Sequence, residues 1–131
     1  MQGSSTAMAR FSPHASRLEL TFAGAVDGPA YRRCMVEWLQ RHPDAVAADW
    51  IYDLRHYCGS VSHDDVLAFV RLYDAAAGER DRGARSIFIT PDPGFRYWVK
   101  ACTAAFPRRV LVVVDTPEEA QALLAREREA A

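Results

Sequence analysis

Two histidines, a cysteine, two serines and several carboxylates crowd into the stretch from Asp53 to Asp65. His56, Cys58, His63 and Asp64 are all of types that ligate transition metals. Their spacing follows no zinc-binding pattern, and a polar turn running into a helix start accounts for the same residues. Ser60 and Ser62 lie near both histidines, yet Gly59-Ser60-Val61-Ser62 is not the G-x-S-x-G elbow that presents a hydrolase nucleophile. Asp53 ends an apolar segment, where a phosphoacceptor aspartate would sit. A receiver domain also needs an acidic pair after its first core strand and a lysine after its last. The chain has Ala23-Gly24-Ala25 and Asp115-Thr116 at those places. The glycines from Gly24 to Gly28 are too sparse for a dinucleotide fingerprint. The expectation is a non-enzyme with no catalytic residue, no cofactor and no metal.

Composition narrows the classes further. With 131 residues the chain fits one domain that buries most of its unfolded surface. Sixteen basic against seventeen acidic residues give a formal net charge of -1, so no global field recruits nucleic acid or an anionic membrane. Lys100 is the only lysine, which removes most Schiff-base and phosphate-loop mechanisms. No apolar run reaches the roughly 20 residues of a membrane span, and the N-terminus lacks a signal pattern. Cys34, Cys58 and Cys102 are odd in number and form no C-x-x-C pair. Reduced thiols in a cytoplasmic protein are expected, with Cys34 and Cys102 on apolar helix faces.

The elements that hold these residues alternate. Leu18, Leu20 and Phe22 share one face of a strand over 17–23, preceded by a shorter strand over 8–12. Tyr31, Cys34, Met35, Trp38 and Leu39 mark one face of a helix that Pro43 terminates. A strand over 50–54 leads through the polar turn to a helix with its apolar stripe at Val66, Phe69, Val70 and Tyr73. Ser62 can cap that helix and Asp65 can complete a capping box. The run Glu79-Arg80-Asp81-Arg82-Gly83 reads as a solvated turn. A strand over 86–90 follows, then a helical stripe at Phe95, Val99, Cys102 and Phe106. Val110 to Val114 is apolar throughout, as expected of a strand covered on both faces. Thr116-Pro117-Glu118-Glu119 opens the last helix as N-cap, first-turn proline and capping-box partner, with Arg126 and Arg128 near its end. The pattern predicts a single α/β domain over 7–126, with flexible termini at 1–6 and 127–131. Its sheet is mixed but mostly parallel, of about five strands with about four helices.

A strand pair, a helix, Ile51-Tyr52-Asp53-Leu54 with its glycine-containing turn, Ile87-Phe88-Ile89, a helix opening at Phe95 and Trp98, and Val114 through Leu124 follow one another in a familiar order. In this order the chain resembles the STAS-like, or SpoIIAA-like, proteins, whose fold is compared with Sec14-type lipid-binding domains. The resemblance covers about residues 7–126 and implies a fold more firmly than an activity. In the anti-sigma-factor antagonists it also implies a phosphorylatable serine in an Asp-Ser-x-Gly context at the helix start. The matching region here holds Ser60 and Ser62 without that motif. Asp64 and Asp65 in the first turn would repel a phosphate there.

Two functions fit these residues. One is a regulatory module that docks a protein partner or a second copy of itself. Tyr97 and Trp98, adjacent on a helix, cannot both face inward, and the exposed one suits an interface. The other is a carrier of a small apolar ligand or lipid, lined by Trp38, Trp50, Tyr52, Tyr57, Phe95, Tyr97 and Trp98. The side chains that either function would engage are Arg55, His56, Tyr57, Ser60, Ser62, Tyr97 and Trp98.

Overall fold

Leu18, Leu20 and Phe22 are buried while Arg17, Glu19, Thr21 and Ala23 between them are half-buried, so this strand packs one face and leaves the other toward solvent. The strand, β2 (Arg17–Ala23), has the limits that its alternation predicts. β1 (Thr6–Ser12) runs antiparallel to it through a turn in which the Ser16 amide donates to the Pro13 carbonyl. The structure is a computed structural model that describes residues 5–126. It continues as α1 (Gly28–Arg41), β3 (Asp49–Asp53), α2 (His63–Ala77), β4 (Arg85–Ile89), α3 (Pro93–Thr103), β5 (Val110–Val114) and α4 (Pro117–Leu124). Arg128 and most of the two terminal segments lie outside the described residues.

The strands pair in chain order, β1-β2-β3-β4-β5, with β2 to β5 parallel. The expected mixed, mostly parallel sheet of five strands with four helices is the observed architecture. Each crossover steps sideways in the same direction, so right-handed connections put α1, α2 and α3 on one face. The main core forms there, from β2, Trp50 and Tyr52 of β3, and the apolar stripes of the three helices. Ile51, Ile87, Ile89 and Val114 point the other way, where α4 covers them with Ala120 and Leu124. Both faces of β5 carry a helix, as its apolar run implies, but β5 is the last strand and its open side leaves Val110 about half exposed.

Helix starts follow local chemistry. The Asp27 carboxylate accepts from the Ala30 amide at 2.9 Å, Ser62 from Asp65 at 3.2 Å, Asp92 from Gly94 at 2.9 Å and Thr116 from Glu119 at 3.2 Å. Ser62 and Asp65 form the full reciprocal box, whereas among the described residues the bond at Thr116 runs one way only. Pro43 does more than end α1: it begins a short 3-10 turn over Pro43–Ala47. That turn aims carbonyls at the amino ends of the strands.

The run Glu79 to Gly83 departs from expectation. Asp81 is fully buried rather than solvated. Its carboxylate accepts from the Tyr73 hydroxyl and, at 2.6 Å, from Nε of Arg108, which also reaches Asp74 at 2.9 Å. The partners that make its burial tolerable come from other elements, so a local reading of the run misses them. Next to this cluster Arg109, 5% exposed, lies with its guanidinium carbon 3.6 Å from the centre of the Trp50 ring. It donates to the carbonyls of Val46 at 2.8 Å, Ala48 at 2.6 Å and Arg85 at 3.0 Å, and to Ser86 Oγ at 2.8 Å. Arg109 thus seals the amino end of the sheet, and the opposite end is left to the loops.

Candidate functional site: an aromatic cavity between the sheet and α3

α1 packs on α2, but α3 rests on β5 and touches the other two helices only marginally. The space between α3 and its neighbours lies over the helix-covered face of the sheet, from Trp50 and Ser86 near the amino ends of β3 and β4 to Tyr52, Leu54 and Phe88 beyond them. It holds a cavity of about 50 Å³, open on one side. A water takes up roughly 10–15 Å³ on the same measure, so the space suits one small ring rather than an acyl chain.

Phe22, Tyr52 and Phe88 rise from β2, β3 and β4 as its floor, with Trp50 deeper in. Tyr52 and Phe88 stack with centroids 4.4 Å apart and planes 8° from parallel. Tyr31 at the start of α1 and Val66 at the start of α2 form one wall. Phe95, Trp98 and Cys102 of α3 form the other, with Phe95 and Trp98 stacked at 5.2 Å. The loop after β3 contributes Tyr57 and Val61. Tyr57 is held there because its hydroxyl accepts from the Val61 amide at 3.0 Å and its ring meets Phe95 at 5.6 Å.

That loop is stitched to the chain before α1. The Gly24 amide donates to the His56 carbonyl at 2.7 Å, Cys58 to Gly24 at 3.0 Å and Ser60 to Val26 at 3.0 Å. Gly59 is required by this close approach. A Cβ there would fall onto the Val26 carbonyl and within 2.6 Å of the Tyr57 ring.

The cavity groups are uncharged at neutral pH. Burial raises Tyr31 well above the ordinary phenol value, aided by Tyr52, Cys102, Cys34 and Asp65. Burial also raises Tyr52, against a smaller opposing effect of Arg109, and raises Tyr57 against its bond from Val61. The Cys102 thiol is pushed up to about 11 by burial, as is that of half-buried Cys34, while Cys58 is exposed.

The seven side chains singled out in the sequence divide between cavity and surface. Tyr57 and Trp98 line the cavity. Arg55 lies exposed beside it, its guanidinium forked on Asp53 at 3.0 and 2.8 Å, and this pairing holds the Asp53 carboxyl below its usual range. His56 and Ser60 are exposed and contribute through their backbone. Ser62 caps α2, a role worth about 1 kcal/mol. Tyr97 is 79% exposed on the outer side of α3, so the two neighbours part as helix geometry requires.

Of the other proposed lining aromatics, Trp50, Tyr52 and Phe95 face the cavity. Trp38 does not; it fills the core against Trp50 and Phe69. Sequence reading misses Tyr31 and Phe88 as site residues. The strand period does put Phe22, Tyr52 and Phe88 on one face, a signal that becomes useful once the strand order is known. Among the described residues no group of three His, Cys, Asp or Glu could hold a metal ion, and no helix is long and apolar enough to cross a membrane.

No protein-family model and no curated protein matches the sequence. Among solved structures the chain is similar to an uncharacterized protein of the DUF3478 family from Shewanella loihica PV-4, described as having a SpoIIAA-like fold. The two share 12% identity with a TM-score of 0.63, over 95% of this chain and 99% of that one. Strand order, helix placement and this overlap agree on one statement: the chain has a SpoIIAA-like fold.

Proposed function

We propose that this domain is a non-enzymatic binding module whose site is the aromatic cavity, and that it takes a small apolar molecule. One observation carries the reading. Apolar rings from three strands, α3 and the loop after β3 converge on an unfilled, one-sided space where the core would otherwise be packed. The groups inside are neutral hydroxyls, a neutral thiol and ring faces, which favour binding over proton transfer.

Cys102→Leu extends a side chain into this space and tests the reading. In the unmodified protein ethylbenzene at millimolar concentration is expected to raise the melting temperature by a few degrees, and Cys102→Leu to abolish the shift. A protein whose melting temperature ignores ethylbenzene has no usable cavity.

Tyr97 supports a second reading, protein docking or self-association. It is the most exposed large apolar side chain on the described surface and takes no part in the cavity. Tyr97→Ser is expected to abolish self-association or partner capture in sedimentation while the ethylbenzene shift stays intact. Identical sedimentation of both proteins removes Tyr97 from any interface.

A further inference from the structure

The Tyr31 and Tyr52 rings are 7% and 6% exposed and both line the cavity. Neither hydroxyl has a hydrogen-bond partner among the described residues, although every fully buried side-chain nitrogen or oxygen there does have one. The two hydroxyls therefore keep contact with open space, and the space that both residues share is the cavity. Of the other polar atoms on its walls, Tyr57 Oη is engaged by the Val61 amide, Ser86 Oγ by Arg109 and Trp50 Nε1 by the Ala45 carbonyl.

An unpaired hydroxyl in a protein interior is costly unless something fills its bonding capacity. Two of them, from α1 and β3, offer donors to whatever occupies the cavity. We propose that Tyr31 and Tyr52 form a two-donor recognition point for an uncharged hydrogen-bond acceptor, the carbonyl of a small aromatic ketone or aldehyde, with its ring held among Phe88, Phe95 and Trp98. This deepens the cavity reading above and rests on it.

Three features select that chemistry. A phenol is a better donor than acceptor, since its oxygen lone pair is shared with the ring, so the ligand's complementary group is an acceptor. No cationic side chain lines the space, so an ionised carboxylate would be buried there without a charged partner, at high cost. No acidic side chain lines it either, which disfavours a cationic ligand in the same way. Stacked rings on two sides leave room for one flat group.

The test compares acetophenone, ethylbenzene and benzoate, of similar size, by titration followed through tryptophan fluorescence and melting temperature. Acetophenone is expected to bind about tenfold more tightly than ethylbenzene, the effect of two modest hydrogen bonds, and benzoate more weakly than either. Tyr31→Phe and Tyr52→Phe are each expected to weaken acetophenone several-fold and leave ethylbenzene within twofold; together they erase the preference. Neither removes a partner from another residue, so both should melt at or above the original temperature. Tyr31→Phe by itself remains informative if the β3 variant is perturbed. Equal affinity for acetophenone and ethylbenzene, benzoate binding as tightly as acetophenone, or a preference that survives the double substitution overturns the two-donor assignment and leaves the cavity reading standing. Failure of all three compounds to bind overturns the cavity reading, and this assignment with it.

Discussion

Arg109→Met is expected to cost the fold about 3–5 kcal/mol, since several buried acceptors each lose a bond from a charged donor, worth roughly 1–3 kcal/mol apiece and not additive. Methionine nearly matches the arginine stem in volume, so a void is not the cause. The loss lies in the donors. The carbonyls of Val46, Ala48 and Arg85 and the Ser86 hydroxyl all bond to this guanidinium, and three of the four distances are 2.8 Å or less. Backbone carbonyls cannot be substituted away, so the penalty of leaving them dry stays after the charge has gone. Burial lowers the Arg109 pKa, and Tyr73, Tyr52 and Asp81 work against that; an arginine in this setting remains protonated. Lysine offers three donors from a single point and is expected to recover less than half of the loss. Urea unfolding of the three proteins measures this directly. Since whole domains of this size are stable by roughly 5–15 kcal/mol, the methionine variant should sit close to unfolding at room temperature. A loss below about 1 kcal/mol would mean that water reaches these carbonyls and that the guanidinium is not what seals the sheet.

Arg109 and Asp81 also show where legibility in the sequence ends. Elements were legible because they answer to local rules. The alternation over Arg17–Ala23 and the apolar run over Val110–Val114 gave strand limits that the structure reproduces, and Ser62 with Asp65 forms the box that its spacing implies. The right-handed rule then places three helices on one face once the strand order is known. Burial of charge follows a different logic. Asp81 sits in a charged run that reads as surface, and only Tyr73 and Arg108, brought in by folding, make its buried position affordable. The candidate site was half legible for the same reason. Tyr57 stood out beside a strand–helix junction and Trp98 as one of two adjacent aromatics on a helix, and Trp50, Tyr52 and Phe95 joined them on the proposed wall. Tyr31 and Phe88 did not stand out, because a cavity is set by how far α3 lies from α1 and α2. No periodicity encodes that gap.

Gly59→Ala is expected to damage fold and site together, because the added methyl has nowhere to go. Its Cβ would fall onto the Val26 carbonyl oxygen, with the carbonyl carbon at 2.8 Å and the Tyr57 ring at 2.6 Å. Two of these atoms are backbone and cannot rotate aside, so residues 24–26 and 56–60 must separate. Gly28 gives the contrast. A Cβ there would meet the Asp65 carboxyl group, a side-chain end that can swing away for about the 1 kcal/mol of the capping bond it makes with Ser62. At Gly59 the movement strains the hydrogen bonds from Cys58 to Gly24 and from Ser60 to Val26, and overpacking of this kind costs about 1–3 kcal/mol or more. Tyr57 moves with its loop, so the cavity loses a wall. Three measurements follow from that one displacement. Urea unfolding should show Gly59→Ala less stable than Gly28→Ala. Amide exchange at Cys58 and Ser60 should quicken while exchange in β3 and β4 stays slow. Ethylbenzene should bind at least several-fold more weakly than to Gly28→Ala, which leaves the loop in place. If Gly59→Ala keeps both its stability and its affinity, the loop is not pinned by this contact, and the cavity wall must be set by α3 alone.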